Sequence, residues 1–150
     1  MRSRFPAIVT ALAGCWLASH TAAAPVINEI MYRGKAPSSE YVELFNTSSN
    51  TTFQLGGYRL NGTNFSFVLP AGTTLAPRAF LCIAENLNGF RTAYGALPPA
   101  VGPWTGDIAP TGTVRLERLE DNRWVALDSV TYGNTEPWPT TADGTGSSLQ

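Results

Sequence analysis

Histidine is almost absent from this chain. Of 150 residues, one is histidine, His20, and it falls in the N-terminal apolar segment. A Ser–His–Asp relay needs an imidazole to take the nucleophile's proton, so the Ser/Thr-rich turns cannot form one. A zinc site built from cysteine and histidine is excluded on the same ground. Cysteine is nearly as scarce, with only Cys15 and Cys82. Cys15 also lies in the N-terminal segment, which leaves Cys82 without an internal disulfide partner. Its neighbours in Phe80-Leu81-Cys82-Ile83-Ala84 predict a small buried hydrophobe. An activated thiol would need a base close by. Charge is low, at 10 Lys+Arg against 11 Asp+Glu. Setting aside Arg2 and Arg4 leaves 8 against 11, a net charge of −3. No basic run is present to track phosphates, so no nucleic-acid partner is expected. No phosphate loop or dinucleotide fingerprint occurs either, and no cofactor is expected.

What is present begins with an address. Arg2 and Arg4 form a short positive region, and Phe5 to Ala18 is apolar and uncharged. Thr21-Ala22-Ala23-Ala24 then supplies the small residues a signal peptidase needs. This three-part pattern predicts a signal peptide over residues 1–24. The apolar run is shorter than the about 20 residues of a membrane span. Pro25 disfavours a cut directly before it, and cutting after Ala23 avoids that problem. Leu12-Ala13-Gly14-Cys15 resembles the lipobox of bacterial lipoproteins, which makes Cys15 a candidate for lipidation. The expected location is therefore outside the cytoplasm: secreted or periplasmic, or held at the envelope by a lipid or an uncleaved signal.

The rest of the chain, residues 25–150, reads as one domain of short strands and tight turns. Pro25 to Tyr32 and Glu40 to Asn46 are the first two strands. Tyr41, Glu43 and Phe45 fall on one face of the second, with Val42 and Leu44 on the other. Gly56-Gly57 suggests a bend or bulge within a strand pair, and Asn61-Gly62 a hairpin. Phe65 to Leu69 is the return strand. Ala79 to Glu85 is nearly all apolar, as a central strand is. Asn86 to Tyr94 is the one expected helix, capped by Asn86 or Asn88, with Phe90 and Tyr94 on one face and Gly95 ending it. Residues 97–102 read as a loop. Thr113 to Leu119 alternates, with Val114, Leu116 and Arg118 on one side, and Trp124 to Tyr132 is the last strand. The tail from Gly133 to Gln150 is rich in Gly, Pro, Thr and Ser. Some eight strands with turns every 8 to 12 residues predict an all-β, antiparallel β-sandwich with one short helix.

An ordered set of short motifs resembles the lamin tail domain family in its bacterial secreted form. It runs from Val26-Ile27-Asn28-Glu29-Ile30-Met31-Tyr32 and Glu40-Tyr41-Val42-Glu43-Leu44-Phe45-Asn46 through Leu55-Gly56-Gly57-Tyr58-Arg59-Leu60 and Leu69-Pro70-Ala71-Gly72-Thr73-Thr74. It ends with Leu127-Asp128-Ser129-Val130-Thr131-Tyr132-Gly133, Trp138-Pro139 and Asp143-Gly144-Thr145-Gly146. The resemblance implies an immunoglobulin-like fold and a non-catalytic interaction module. It also implies that bacterial relatives are exported, often beside hydrolase, nuclease or adhesion modules.

Several groups carry two readings. Glu29, Glu40 and Glu43 could bind calcium, with Asp143 as a further candidate. The structural alternative has Glu29 and Glu43 pairing with strand-end and loop groups and Glu40 solvated. Tyr58, Trp104, Trp124, Tyr132 and Trp138 could form an exposed platform or simply pack. Asn46, Asn50, Asn61 and Asn64 read as turn residues. The function expected is an exported binding module whose partner is a protein or another envelope or extracellular component. The alternative is an accessory domain of a larger secreted hydrolase or nuclease with its catalytic part beyond residue 150.

Overall fold

The computed structural model describes residues 23–34, 36–96, 98–142 and 147–150. Cys15 and Asp143 lie outside them. Among the described residues, ten strands and one α-helix follow in chain order, with a short 3-10 helix at Thr140–Ala142. They are β1 (Pro25–Met31), β2 (Tyr41–Asn46), β3 (Phe53–Gln54), β4 (Arg59–Asn61), β5 (Ser66–Val68), β6 (Thr74–Leu75) and β7 (Phe80–Ala84), then α1 (Leu87–Tyr94), β8 (Ala100–Val101), β9 (Gly112–Glu120) and β10 (Arg123–Tyr132).

One sheet has the order β1-β2-β7-β8 and a second has β10-β9-β4-β5; β3 and β6 form a separate ribbon. The two four-stranded sheets pack face to face. From the first come Ile30, Val42, Leu44, Leu81 and Ile83; from the second, Leu60, Val114, Leu116 and Tyr132. Alternation puts these on the inner faces, because successive side chains in a strand point to opposite sides. The expected division of β2 holds: Val42 and Leu44 are fully buried between the sheets, while Tyr41, Glu43 and Phe45 point outward. Fully burying each such aliphatic side chain contributes about 1.5–3 kcal/mol.

The helix starts where Asn86 predicts it. Its side-chain oxygen accepts from the amides of Asn88 and Gly89 at 2.9 and 3.0 Å, and Gly95 ends it with φ 86°. Its apolar face lies on the outer side of the first sheet. There Phe90, Tyr41, Met31, Cys82 and Ala84 form a second, smaller core. The helix also changes the topology. It carries the chain from β7 back to the same end of the sheet, so β8 pairs parallel to β7. Such crossovers are what parallel neighbours require, and they place a strand where the sequence reads as a loop.

Two turn expectations change in detail. Gly57, at φ 83°, is not a bulge inside one pair. It turns the chain from the β3–β6 ribbon into the second sheet, and its amide donates to Leu69 O at 2.9 Å. Asn61-Gly62 does open a hairpin, but through a four-residue connection in which the Gly62 amide donates to Phe65 O at 2.9 Å. Of the described residues after β10, Ala142 and Leu149 are buried in the main core.

Candidate functional site

Two of the glutamates singled out from the sequence, Glu29 and Glu43, meet Cys82 on the outer face of the first sheet. Glu29 is the cross-strand partner of Glu43, and Glu43 is the partner of Cys82. Three strands thus set two carboxyls and a thiol in one row. A bulge in β1 between Ile27 and Glu29 turns Asn28 toward the same face, where its Nδ2 donates to Glu43 Oε1 at 2.8 Å. Tyr41 donates its hydroxyl to Glu29 Oε1 at 2.5 Å. The Cys82 thiol lies 3.8 Å from Glu43 Oε2 and donates to it. Phe90 and Tyr94 of α1 close over Tyr41 edge-on.

The electrostatics of this row favour keeping protons. Burial, then the charge of Glu43 and of Glu29, pushes the Cys82 thiol up to about 12. Burial, the hydrogen bond to Glu29 and its charge drive the Tyr41 hydroxyl far above its ordinary value. Burial also raises Glu43, against the opposing hydrogen bond from Asn28, and the Glu29 charge adds to the rise. A thiol that stays protonated beside a carboxylate is a poor nucleophile and a poor metal ligand, since both roles need the thiolate. Among the described residues no three or more His, Cys, Asp or Glu side chains group in a way that could hold a metal ion.

Glu40 does not join this row, and it is not solvated as expected. It precedes β2 with the opposite side-chain parity and is half-buried at one end of the sandwich. Its Oε2 accepts from the Ile108 amide at 2.7 Å. Burial raises its carboxyl to about 7, opposed by that hydrogen bond and by Arg33, and helped by Glu85 and Asp107. The charges acting on Glu40 are thus a different set from the one acting on Glu43. The three glutamates split between two sites because Glu40 and Tyr41 point to opposite sides of the sheet.

The five aromatic residues do not form one platform. Trp104 and Tyr132 are buried in the core; Tyr58 and Trp138 are half-buried against it. Trp124 is half-buried on the outer face of the second sheet, with the Arg59 guanidinium carbon 4.1 Å from its ring centroid. Arg59 also reaches Glu117 through Nε at 2.7 Å and Nη2 at 2.6 Å. Stacking an arginine on an indole while two of its nitrogens hold the same carboxylate oxygen restrains all three side chains. Val68 and Leu119 on this face are 52% and 51% exposed. The sequence carries no signal for this trio. It depends on the Arg59–Glu117 register, which only the assembled sheet sets.

Two other residues do more than their sequence context suggests. Asn46 is more than a turn residue: it is fully buried. Its Nδ2 donates to Thr51 O, Leu75 O and Ala76 O at 2.8, 2.9 and 2.9 Å, and its Oδ1 accepts from the Ser48 amide at 2.8 Å. Asp128 interrupts an apolar strand, which was a legible signal. Its Oδ2 accepts from the Ile27 amide at 2.7 Å.

The architecture is therefore that of an immunoglobulin-like β-sandwich in which Asn28, Glu43, Asn46, Arg59, Glu117 and Asp128 serve to join strands and loops. The family profile named Lamin Tail Domain matches residues 18–134. The chain belongs to the lamin tail domain family, as its motif order implied. A search of curated proteins returned no match.

Proposed function

We propose that this chain is an exported, non-catalytic interaction module of the lamin tail type. The observation that carries the reading is the state of the Glu29–Glu43–Cys82 row. Three of its four carboxyl oxygens accept from Tyr41, Asn28 and the thiol, and burial beside these carboxylates pushes the thiol up to about 12. That is the chemistry of a structural network under a helix. The surface offered to a partner is the outer face of β10-β9-β4-β5. There the ordered Arg59–Trp124 pair sits on the same face as exposed Val68 and Leu119. An aromatic residue and an arginine flanked by apolar side chains make the usual centre of a protein interface.

Export is supported by the three-part N-terminal pattern and by how the fold begins. The Ala24 amide donates to Thr47 Oγ1 at 3.1 Å, and Ala24 O accepts from the Thr47 amide and hydroxyl at 3.3 and 2.9 Å. A cut after Ala23 keeps all three contacts; a cut after Ala24 loses them. The test is mass spectrometry of the chain recovered from fractionated cells. A mature N-terminus at Ala24 outside the cytoplasm, or a lipidated Cys15 in the membrane fraction, agrees with export. An intact Met1 form confined to the cytosol overturns it. For the surface, a photo-reactive side chain at position 119 should give a saturable cross-link that Trp124→Ala abolishes. No cross-link at any partner concentration removes this face as the interface.

A further inference from the structure

The outer face of β10-β9-β4-β5 divides into an apolar half and a polar half. At one end Val68, Leu119 and Trp124 lie around the Arg59–Glu117 pair, with Leu119 the cross-strand partner of Trp124. Both Val68 and Leu119 are exposed. Towards the other end, one row crosses all four strands: Ser66, Asn61, Arg115 and Ser129 are successive cross-strand partners. Every member of that row carries a side-chain hydrogen-bond donor. Arg115 is exposed within it.

The charges on this face are unbalanced. The charged side chains that these strands turn outward are Arg59, Glu117 and Arg115. The first two hold each other. Among the described residues, Arg115 has no carboxylate within ion-pair distance and no side-chain hydrogen bond. Asp128 is turned away to the Ile27 and Ser129 amides. The face is thus net positive on a chain whose residues 25–150 carry −3. A second copy of this chain cannot supply the missing anion through the same face. A two-fold pair sets identical surfaces together, and the outward carboxylate there is already held by Arg59. The complement is a carboxylate on a different protein, which a guanidinium can take with two parallel N–H bonds.

Register sets the spacing. Arg115 and Leu119 both point outward from β9, four residues or about 13 Å apart at the usual rise of a strand. An extended segment has the same rise, and its side chains i, i+2 and i+4 share one face. An aliphatic residue over Leu119 and Trp124 therefore puts residue i+4 at Arg115. Residue i+2 lies over the Arg59–Glu117 pair, which offers it no unspent charge. We propose that this face receives an extended segment of a partner protein, with an aliphatic side chain against Leu119 and Trp124 and an acidic side chain, four residues away, on Arg115. The proposal rests on the interaction reading above and deepens it by naming the partner's chemistry.

The probe is a synthetic peptide with the core Leu-Thr-Ser-Thr-Glu, carrying an uncharged fluorophore and amidated so that the glutamate is its one carboxylate. Two controls replace that glutamate by glutamine or move it to the third position of the core. Binding to the full chain is read by fluorescence anisotropy up to millimolar concentrations. The glutamate peptide should bind roughly fivefold more tightly than either control, the size of a well-aligned exposed ion pair. Arg115→Ala should bring that ratio close to one, and Arg115→Lys should keep part of it. Salt at about 1 M should shrink the ratio, since screening then acts within ~3 Å. Leu119→Asp should weaken all three peptides. Arg115→Ala should leave the thermal midpoint nearly unchanged, because the side chain is exposed and unpaired, so a lost ratio is not lost folding. The proposal is overturned if no peptide binds, if the ratio is the same with and without Arg115, or if the shifted glutamate works equally well. A position-119 cross-link that forms while the ratio is absent sinks this proposal and spares the interface reading. The ratio without any cross-link does the reverse.

Discussion

The amide of Ile27 and Oδ2 of Asp128 meet at 2.7 Å across the seam between the two sheets. Each sits at a register shift: β1 slips between Ile27 and Glu29, and β10 between Ala126 and Asp128. The two irregularities face each other and are joined by this bond. Oδ1 of the same carboxylate accepts from the Ser129 amide at 2.8 Å, which fixes the side chain in place. Bulges re-aim individual side chains and backbone groups, and here they tie the sandwich together at one edge.

Asp128→Ala should therefore lower stability by about 1–3 kcal/mol, the cost of leaving the half-buried Ile27 amide without its acceptor. Asp128→Asn, which keeps an acceptor oxygen, should cost less. Urea denaturation of the three proteins gives the comparison, and equal midpoints for the wild type and Asp128→Ala would remove the seam bond as a stabilising contact.

Asn46 gives a larger effect. Its amide meets three carbonyls and its oxygen one amide, all within 3 Å. Asn46→Ala strands several polar groups at once and should cost about 3 kcal/mol or more. Asn46→Asp should do no better, since a carboxylate would face those same carbonyls without a proton to donate. Thermal unfolding ranks the variants directly.

Glu40 sets a pH dependence. Its folded-state carboxyl titrates at about 7, above its ordinary 4.5, so the folded chain binds this proton more tightly than the unfolded chain. Stability from this group is greatest below pH 4.5 and falls as pH rises through 7. Glu43 is raised in the same sense. Glu40→Gln keeps an acceptor for the Ile108 amide and removes the ionisation. Its advantage over the wild type should grow from pH 5 to pH 8. Discounted for solvent screening, the gain is about 1 kcal/mol, or ~4 °C in midpoint for a domain of this size. A difference that does not change with pH would disprove the assignment.

Cys82 should resist alkylation in the native state. With its thiol at about 12, the thiolate fraction at pH 8 is on the order of a thousandfold below that of a free cysteine, and burial slows reagent access further. Full labelling should appear only on unfolding. Rapid native labelling at pH 8 would mean that α1 opens freely from the sheet.

The helix and the outward face of β2 were legible because they rest on local physics. Asn86 and Gly95 are caps whose conformational preferences act within a few residues, and side-chain alternation in a strand is a property of the backbone alone. The glutamate cluster was legible only as a set of candidates. The parity that sends Glu40 to one side and Glu43 to the other is in the sequence. Whether either becomes buried depends on what the rest of the chain lays over it, and a distant segment supplies the Ile108 amide.

By itself the sequence determined the β class, the capped helix at Leu87–Tyr94, the buried thiol and the family, all of which follow from local pattern or from motifs in order. Only the tertiary structure decided which residues became partners: Arg59 with Glu117 and Trp124, Ile27 with Asp128, and Leu149 with Ile30. The reason is register. Each pair lies 58 or more positions apart in sequence, and a slip of one residue would turn every side chain to the opposite face. That choice is made by the packed core as a whole, through Val42, Leu44, Leu60 and Leu116 meeting between the sheets.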